Sequence, residues 1–196
     1  IYPVLLPTLS DFETRDLWHL LLHNGTIWRW NRPLIGTDNS SYHLRIEQRV
    51  VPAGPTIPDL IANAAFYFGL TCALAKKKTA PESMIDFDQV KNDFYNIARH
   101  GLRARIDWPG EERVIVRDLL LEELIPTARH GLETLGITPP DIEYYLGIIR
   151  GRVETEQNGA NWQRQYMRRH ESTMHEMTEA YFRNQQAAIP VHEWQI

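Results

Sequence analysis

The segment LIANAAFYFGLTCALA, Leu60 to Ala75, constrains the fold more than any other part of the sequence. Its sixteen residues carry no charge, and Asn63 and Thr71 interrupt an otherwise apolar run that falls short of the roughly 20 residues a bilayer requires. It is therefore expected to be a core helix rather than a membrane span. Thr56 with Asp59 three residues on resembles a capping box with a shortened acidic partner, and Pro58 lies in the tolerated first turn. A helix of about 18 residues is expected to follow.

Around that helix the periodicity is mostly helical. Phe87, Val90, Phe94 and Ile97 recur at helical spacing, with Gly101 where a C-cap belongs. RARIDWPG reads as a short extended piece and turn, after which RVIVRDLLLEELIPTARHGLETLG resumes a helical pattern that Pro126 must kink or divide. Thr138, Pro139 and Asp141 announce another helix, whose inner stripe is Ile142, Leu146, Ile149 and Val153. Two more are expected, from about Gly159 to His170 and from Thr173 to Ala187, the second opened by Thr173 and Glu176 as a capping box. The tail IPVHEWQI reads as extended. FETRDLWHLLLH, near the start, reads as a short helix or strand.

Thr26 to Arg32 and His43 to Val51 are rich in β-branched and aromatic residues and predict two strands, joined through GTDNSS. Period-two alternation puts Leu44, Ile46 and Val50 on one face of the second strand, expected to pack, and His43, Arg45, Glu47 and Arg49 on the other. The fold class is thus α+β: a small antiparallel β element followed by a helix-dominant region. With 196 residues and 43% hydrophobic content, a single domain spanning 1–196 is expected.

Charge and cysteine usage narrow the classes of function. A net charge of -4 creates no field that would gather nucleic acid or an anionic membrane, so any anion handling must be local. Arginines outnumber lysines 17 to 4, which suits forked contacts to carboxylate or phosphate but also follows from genomic base composition. The single cysteine, Cys72, excludes an intrachain disulfide framework and fits a reducing, cytoplasmic compartment.

Most apparent motifs fail on geometry. In HESTMH the histidines His170 and His175 are five apart, whereas two ligands on one helix face need a spacing of four. GTDNSS lacks the glycines and trailing Lys of a phosphate-cradling loop, and no nucleophile elbow or hydrolase triad is present. The row Arg45, Glu47, Arg49 is different. A strand presents alternate side chains on one face about 7 Å apart, where Glu can ligate a hard cation and Arg can hold a phosphoryl oxygen. A charged sheet face that neutralises itself across strands is the alternative. EQNGANWQRQY, Glu156 to Tyr166, places Asn158 and Gly159 at a helix start whose free N–H groups favour an anion, with Gln163 and Arg164 one turn later; a plain helix start is the alternative.

In their order, TIWRWNRP, LRIEQR, the apolar helix, ARHGL and QNGANWQR resemble the C-terminal half of the type 2 glutamate-cysteine ligases, the carboxylate-amine ligases of glutamine-synthetase-like fold. The resemblance runs from about His23 to Arg164. It implies that the β element belongs to a glutamine-synthetase-like sheet, and that Glu47 is a ligand of Mg²⁺ (or Mn²⁺). It further implies that Arg49, with Arg45 beside it, is catalytic and faces the transferring phosphoryl group. Arg32, Arg49, Gln163 and Arg164 would bind ATP. The implied reaction is ATP-dependent amide formation through an acyl phosphate, from glutamate and an amine such as cysteine. Metal ions and arginine forks are the expected tools of such chemistry.

Arg45, Gln48 and Val51 depart from the family's commoner form of this strand, and its acidic EEE strand is absent. The 196 residues are therefore expected to be the C-terminal part of a larger catalytic domain, to need the N-terminal half of the same protein as partner, and to be inactive alone. Unpaired strand edges make a homo-oligomer an expectation too. A non-catalytic binding or interaction module that keeps the ligase fold is the alternative.

Overall fold

A computed structural model describes residues 30–38 and 41–196. The expected element FETRDLWHLLLH, and the first expected strand up to residue 29, lie outside the described residues. The chain divides into two compact units, residues 1–52 and 53–196. The protein is α+β with helix dominant, as its patterning predicts.

In the first unit β1 (Asn31–Asp38) and β2 (Ser41–Gln48) form an antiparallel hairpin. Both strands extend into GTDNSS, which the sequence reading assigns to the connection, and β2 ends before Val51. Antiparallel pairing extends the ladder as far as both backbones can exchange hydrogen bonds, regardless of how polar the side chains are. The register sets Arg32 opposite Glu47, Leu34 opposite Arg45 and Gly36 opposite His43, so these residues share one face. The expectation that the apolar face of β2 packs is overturned: Leu44 and Ile46 are 58% and 62% exposed, and the half-buried positions are Glu47, Gln48 and Arg49. Alternation determines which residues share a face, not which face is covered.

The second unit is built on α1 (Ile57–Ala75), which Thr56 caps by accepting from the Asp59 N–H at 3.2 Å. At 19 residues α1 is long and apolar enough to cross a membrane by length and composition alone, so the expectation that this segment is too short does not hold. Here one side of α1 packs against α4 (Ile125–Thr134) and α5 (Pro139–Thr155). Their shared core is Ala62, Ile125, Ala128, Leu132, Ile142 and Leu146. On α5 the expected stripe is buried at all of its positions, Ile142, Leu146, Ile149 and Val153.

Between α1 and α4 the backbones touch at Gly69 and Gly131. A Cβ on Gly131 would collide with the Gly69 carbonyl oxygen, and one on Gly69 with that of Ala128. Neither obstacle is a flexible side chain that could swing aside.

α2 (Phe87–His100) is capped by Asp86 and ends at Gly101 as expected, with a positive φ of 56° that glycine adopts without a Cβ clash. β3 (Arg105–Trp108) and β4 (Glu111–Ile115) then make a second hairpin around Gly110. RVI, read from sequence as the start of a helix, is strand, because β-branched Val114 and Ile115 complete the pairing with Ile106 and Arg105. The helix starts with α3 (Val116–Leu119), widens to a π turn at Leu120–Leu124 and continues as α4. Pro126 is the reason. In an α-helix its ring would strike the carbonyl four residues back, and the widened turn, in which the Ile125 N–H reaches Leu120, removes that clash.

α6 (Gly159–His170) and α7 (Met174–Gln186) pair around Trp162, Met177 and Ala180, and the capping box of Thr173 and Glu176 is present as expected. The tail is not simply extended: it makes a 3-10 turn at Val191–Glu193 and plugs this core with Val191 and Trp194. Gln157 holds it, its amide donating to the carbonyls of Val191 and Trp194 at 2.8 and 2.9 Å.

The Gly69–Gly131 contact predicts the sign of one substitution. Ala is favoured over Gly in a helix by about 1 kcal/mol, whereas overpacking against backbone costs about 1–3 kcal/mol. Gly131→Ala is expected to lower the melting temperature by a few degrees in thermal denaturation; an unchanged or raised value would contradict the close approach.

Candidate functional site

The charged face of the first hairpin is a clamp rather than an evenly spaced row. Glu47 Oε2 accepts from Arg49 Nε at 2.8 Å and from Arg32 Nε across the ladder. Arg32 is the more enclosed of the two, its side chain 13% exposed. These bonds, Arg49's first and Arg32's second, hold the Glu47 carboxyl below the ordinary glutamate value. Arg45 does not join them. It lies back over Gly36, where a Cβ would touch its guanidinium and collide with the His43 imidazole. The face therefore carries three arginines and one glutamate, with Glu47 already neutralising part of the charge.

A metal ion at this face would have to use the oxygens that the clamp leaves open. With Oε2 engaged twice, Oε1 is the Glu47 oxygen free to meet a hard cation. No group of three or more His, Cys, Asp or Glu side chains that could hold a metal occurs among the described residues. One carboxylate fits Mg²⁺ only where phosphate oxygens and waters complete the octahedron, the usual arrangement for this ion.

The second expected cluster divides between two surroundings. Asn158 caps α6 by accepting from the Asn161 N–H at 2.9 Å, so one of the N–H groups expected to attract an anion is already satisfied by the chain. Arg164 bonds the Asn161 side chain and lies on a partly open cleft of about 850 Å³ in the helical unit. Gln163 does not line that cleft. The two histidines of HESTMH fall on different helices: His170 ends α6, and His175 pairs with Glu179 along α7 at 3.3 Å. Cys72, half-buried, lies 3.7 Å from the Thr134 hydroxyl and takes no part in either site.

Sequence reasoning missed the arginines that share the cleft with Arg164, which are Arg99, Arg103 and Arg152. Two signals could have found them. ARHGLRAR, Ala98 to Arg105, concentrates basic residues in a chain of net negative charge. Arg152 stands three residues after Ile149 and beside Val153, on the inward side of α5.

No protein-family model matches the chain, and no curated protein or solved structure matches it.

Glu47 offers a direct check of the clamp. A carboxylate with a lowered folded-state pKa contributes stability that is present in full above the ordinary glutamate value and is lost as pH falls through the lowered one. An NMR titration should place the Glu47 midpoint below that of an exposed glutamate, and Arg49→Ala should move it back up. A midpoint that ignores Arg49→Ala would contradict the bond.

Proposed function

We propose that the chain is part of an ATP- and Mg²⁺-dependent carboxylate-amine ligase, acting on glutamate and an amine such as cysteine, with its first hairpin turned to the phosphoryl group. The observation that carries it is the gathering of Arg32 and Arg49 around a single carboxylate, Glu47, on a hairpin face that also carries Arg45. The order of motifs that resembles the type 2 glutamate-cysteine ligases is its ground in the sequence. Two of those motifs, ARHGL and QNGANWQR, also contribute residues to one cleft in the helical unit.

Each residue then has a role its chemistry allows. Arg49 and Arg32 are the forks that neutralise charge building on the transferring phosphoryl oxygens, as planar guanidinium groups do well. Glu47 orients both guanidiniums through Oε2 and offers Oε1 to the cation. Mg²⁺, when bound, offsets phosphate charge and aligns the nucleotide with the carboxylate of glutamate. Arg45, whose guanidinium lies over Gly36 and away from the clamp, is the exposed cation of the set and stands where amine or carboxylate selectivity would be tuned. Remaining metal ligands have to come from outside the described residues.

A non-catalytic anion-binding module is the second reading, and the closed Arg32–Glu47–Arg49 clamp favours it, because a neutralised carboxylate serves a static site as well as a reactive one. ADP release from the intact protein separates them. Turnover dependent on glutamate, an amine and Mg²⁺ is expected, with Glu47→Ala and Arg49→Ala each lowering kcat by about a hundredfold or more. Full turnover in both variants would overturn the site assignment, and anion binding without any turnover would leave the module.

A further inference from the structure

We propose that the outward side of α1, with Lys76, Lys77 and Lys78 at its C-terminal end, docks the helical unit on an anionic lipid surface. The ligase reading plays no part in this, since no residue of the first hairpin is used.

α1 is apolar on both of its sides. Its one charged residue, Asp59, is buried. Opposite the side that packs on α4 and α5, the positions Ile57, Ile61, Ala64, Phe68, Thr71 and Ala75 recur alternately four and three apart, so they run in one line along the helix. That line is about 27 Å long at the usual rise per residue. Ile57 and Phe68 on it are 71% and 60% exposed, and Leu60 beside it is exposed too. A helix with one side in water ordinarily turns charge outward, as α7 does with His175, Glu179 and Arg183. A continuous apolar stripe without any charge marks a surface that something covers.

Charge selects the cover. Three of the four lysines in the chain are consecutive, at positions 76 to 78. All three are exposed, and none makes an ion pair among the described residues. Lys76 and Lys77 also line a shallow depression of about 490 Å³ with Thr127 and His130 of α4, and no carboxylate lines it. A second copy packed on the stripe would leave these cations without a partner. In parallel, two lysine runs would meet; antiparallel, each run would meet the first turn of the other α1. The acid of that turn, Asp59, is buried and engaged by Thr56, Val191 and Arg152.

An anionic bilayer matches both features at one boundary. Its acyl region accepts the stripe, and its headgroups lie where lysine ammonium groups reach on their long apolar stems. The attraction is local, as a chain of net charge -4 requires, because it acts within about 8 Å at physiological salt. α1 lies on such a surface and does not span it. Its inner side is locked to α4 by the backbone contact of Gly69 with Gly131, which insertion would have to break.

Co-sedimentation of the full chain with phosphatidylcholine vesicles, with and without phosphatidylserine, tests this. Binding is expected to the phosphatidylserine vesicles and to weaken as salt is raised. Lys76→Ala/Lys77→Ala/Lys78→Ala should lower the partition coefficient at least about tenfold, as should Ile57→Ser/Phe68→Ser. Both variants change exposed side chains, and unchanged thermal melting would show that they fold. Lys91→Ala, outside the run and paired with Asp88, should bind as the parent does. Absence of vesicle binding, equal binding to both vesicle types, or binding that either multiple variant leaves intact would overturn the proposal. A dimer in sedimentation equilibrium that Ile57→Ser/Phe68→Ser abolishes, without vesicle binding, would overturn it in favour of a second copy on the stripe.

Discussion

One buried carboxylate ties the helical unit together. Asp59, fully enclosed in the first turn of α1, accepts from the Thr56 hydroxyl at 2.8 Å and from the Val191 N–H at 3.1 Å through Oδ2. Its Oδ1 faces Arg152 Nε at 3.9 Å. Burying a carboxylate costs several kcal/mol unless donors and a countercharge surround it, so these partners are held in place by the cost of releasing them. The N-cap of α1, the docking of the tail and the placement of Arg152 on α5 thus depend on a common group. Through Arg152 and Asn63 the constraint reaches the cleft wall.

Much of the helical fold is legible because helices report on themselves. The stripe of α5, the caps at Thr56, Asn158 and Thr173, and the end of α2 at Gly101 each rest on residues within a few positions of one another. What local pattern does not contain is pairing. β4 is helical by its apolar spacing and becomes strand only because β3 lies opposite it. Likewise the tail carries no helical or strand signal that would announce Val191 and Trp194 as core residues; their burial depends on Trp162 and Gln157, some thirty positions earlier.

The candidate sites follow the same division. Alternation puts Arg45, Glu47 and Arg49 on one face, but Arg32 joins them only through the register of β1, which also makes Glu47 a clamped carboxylate. Arg45 departs from the row because Gly36 opposite His43 leaves room for its side chain to fold back. In the cleft, Asn63 on α1, Arg99 at the end of α2, Arg152 on α5 and Arg164 on α6 are brought together by helix packing alone. No spacing rule links them. The basic run of ARHGLRAR and the polar residues Asn63 and Arg152, each set beside apolar neighbours, are the traces that packing leaves in the sequence.

The dependence on Asp59 is tested most directly by amide and guanidinium hydrogen exchange in Asp59→Asn. That substitution keeps the side chain's shape and removes its charge. Exchange at the Val191 N–H should quicken about tenfold or more, the scale of a lost hydrogen bond to a charged group, and exchange at Arg152 Nε–H, which loses a countercharge at 3.9 Å, should quicken as well, while α7 keeps its protection. Unchanged exchange at both positions would show that the tail and Arg152 are held by apolar packing and not by the buried carboxylate.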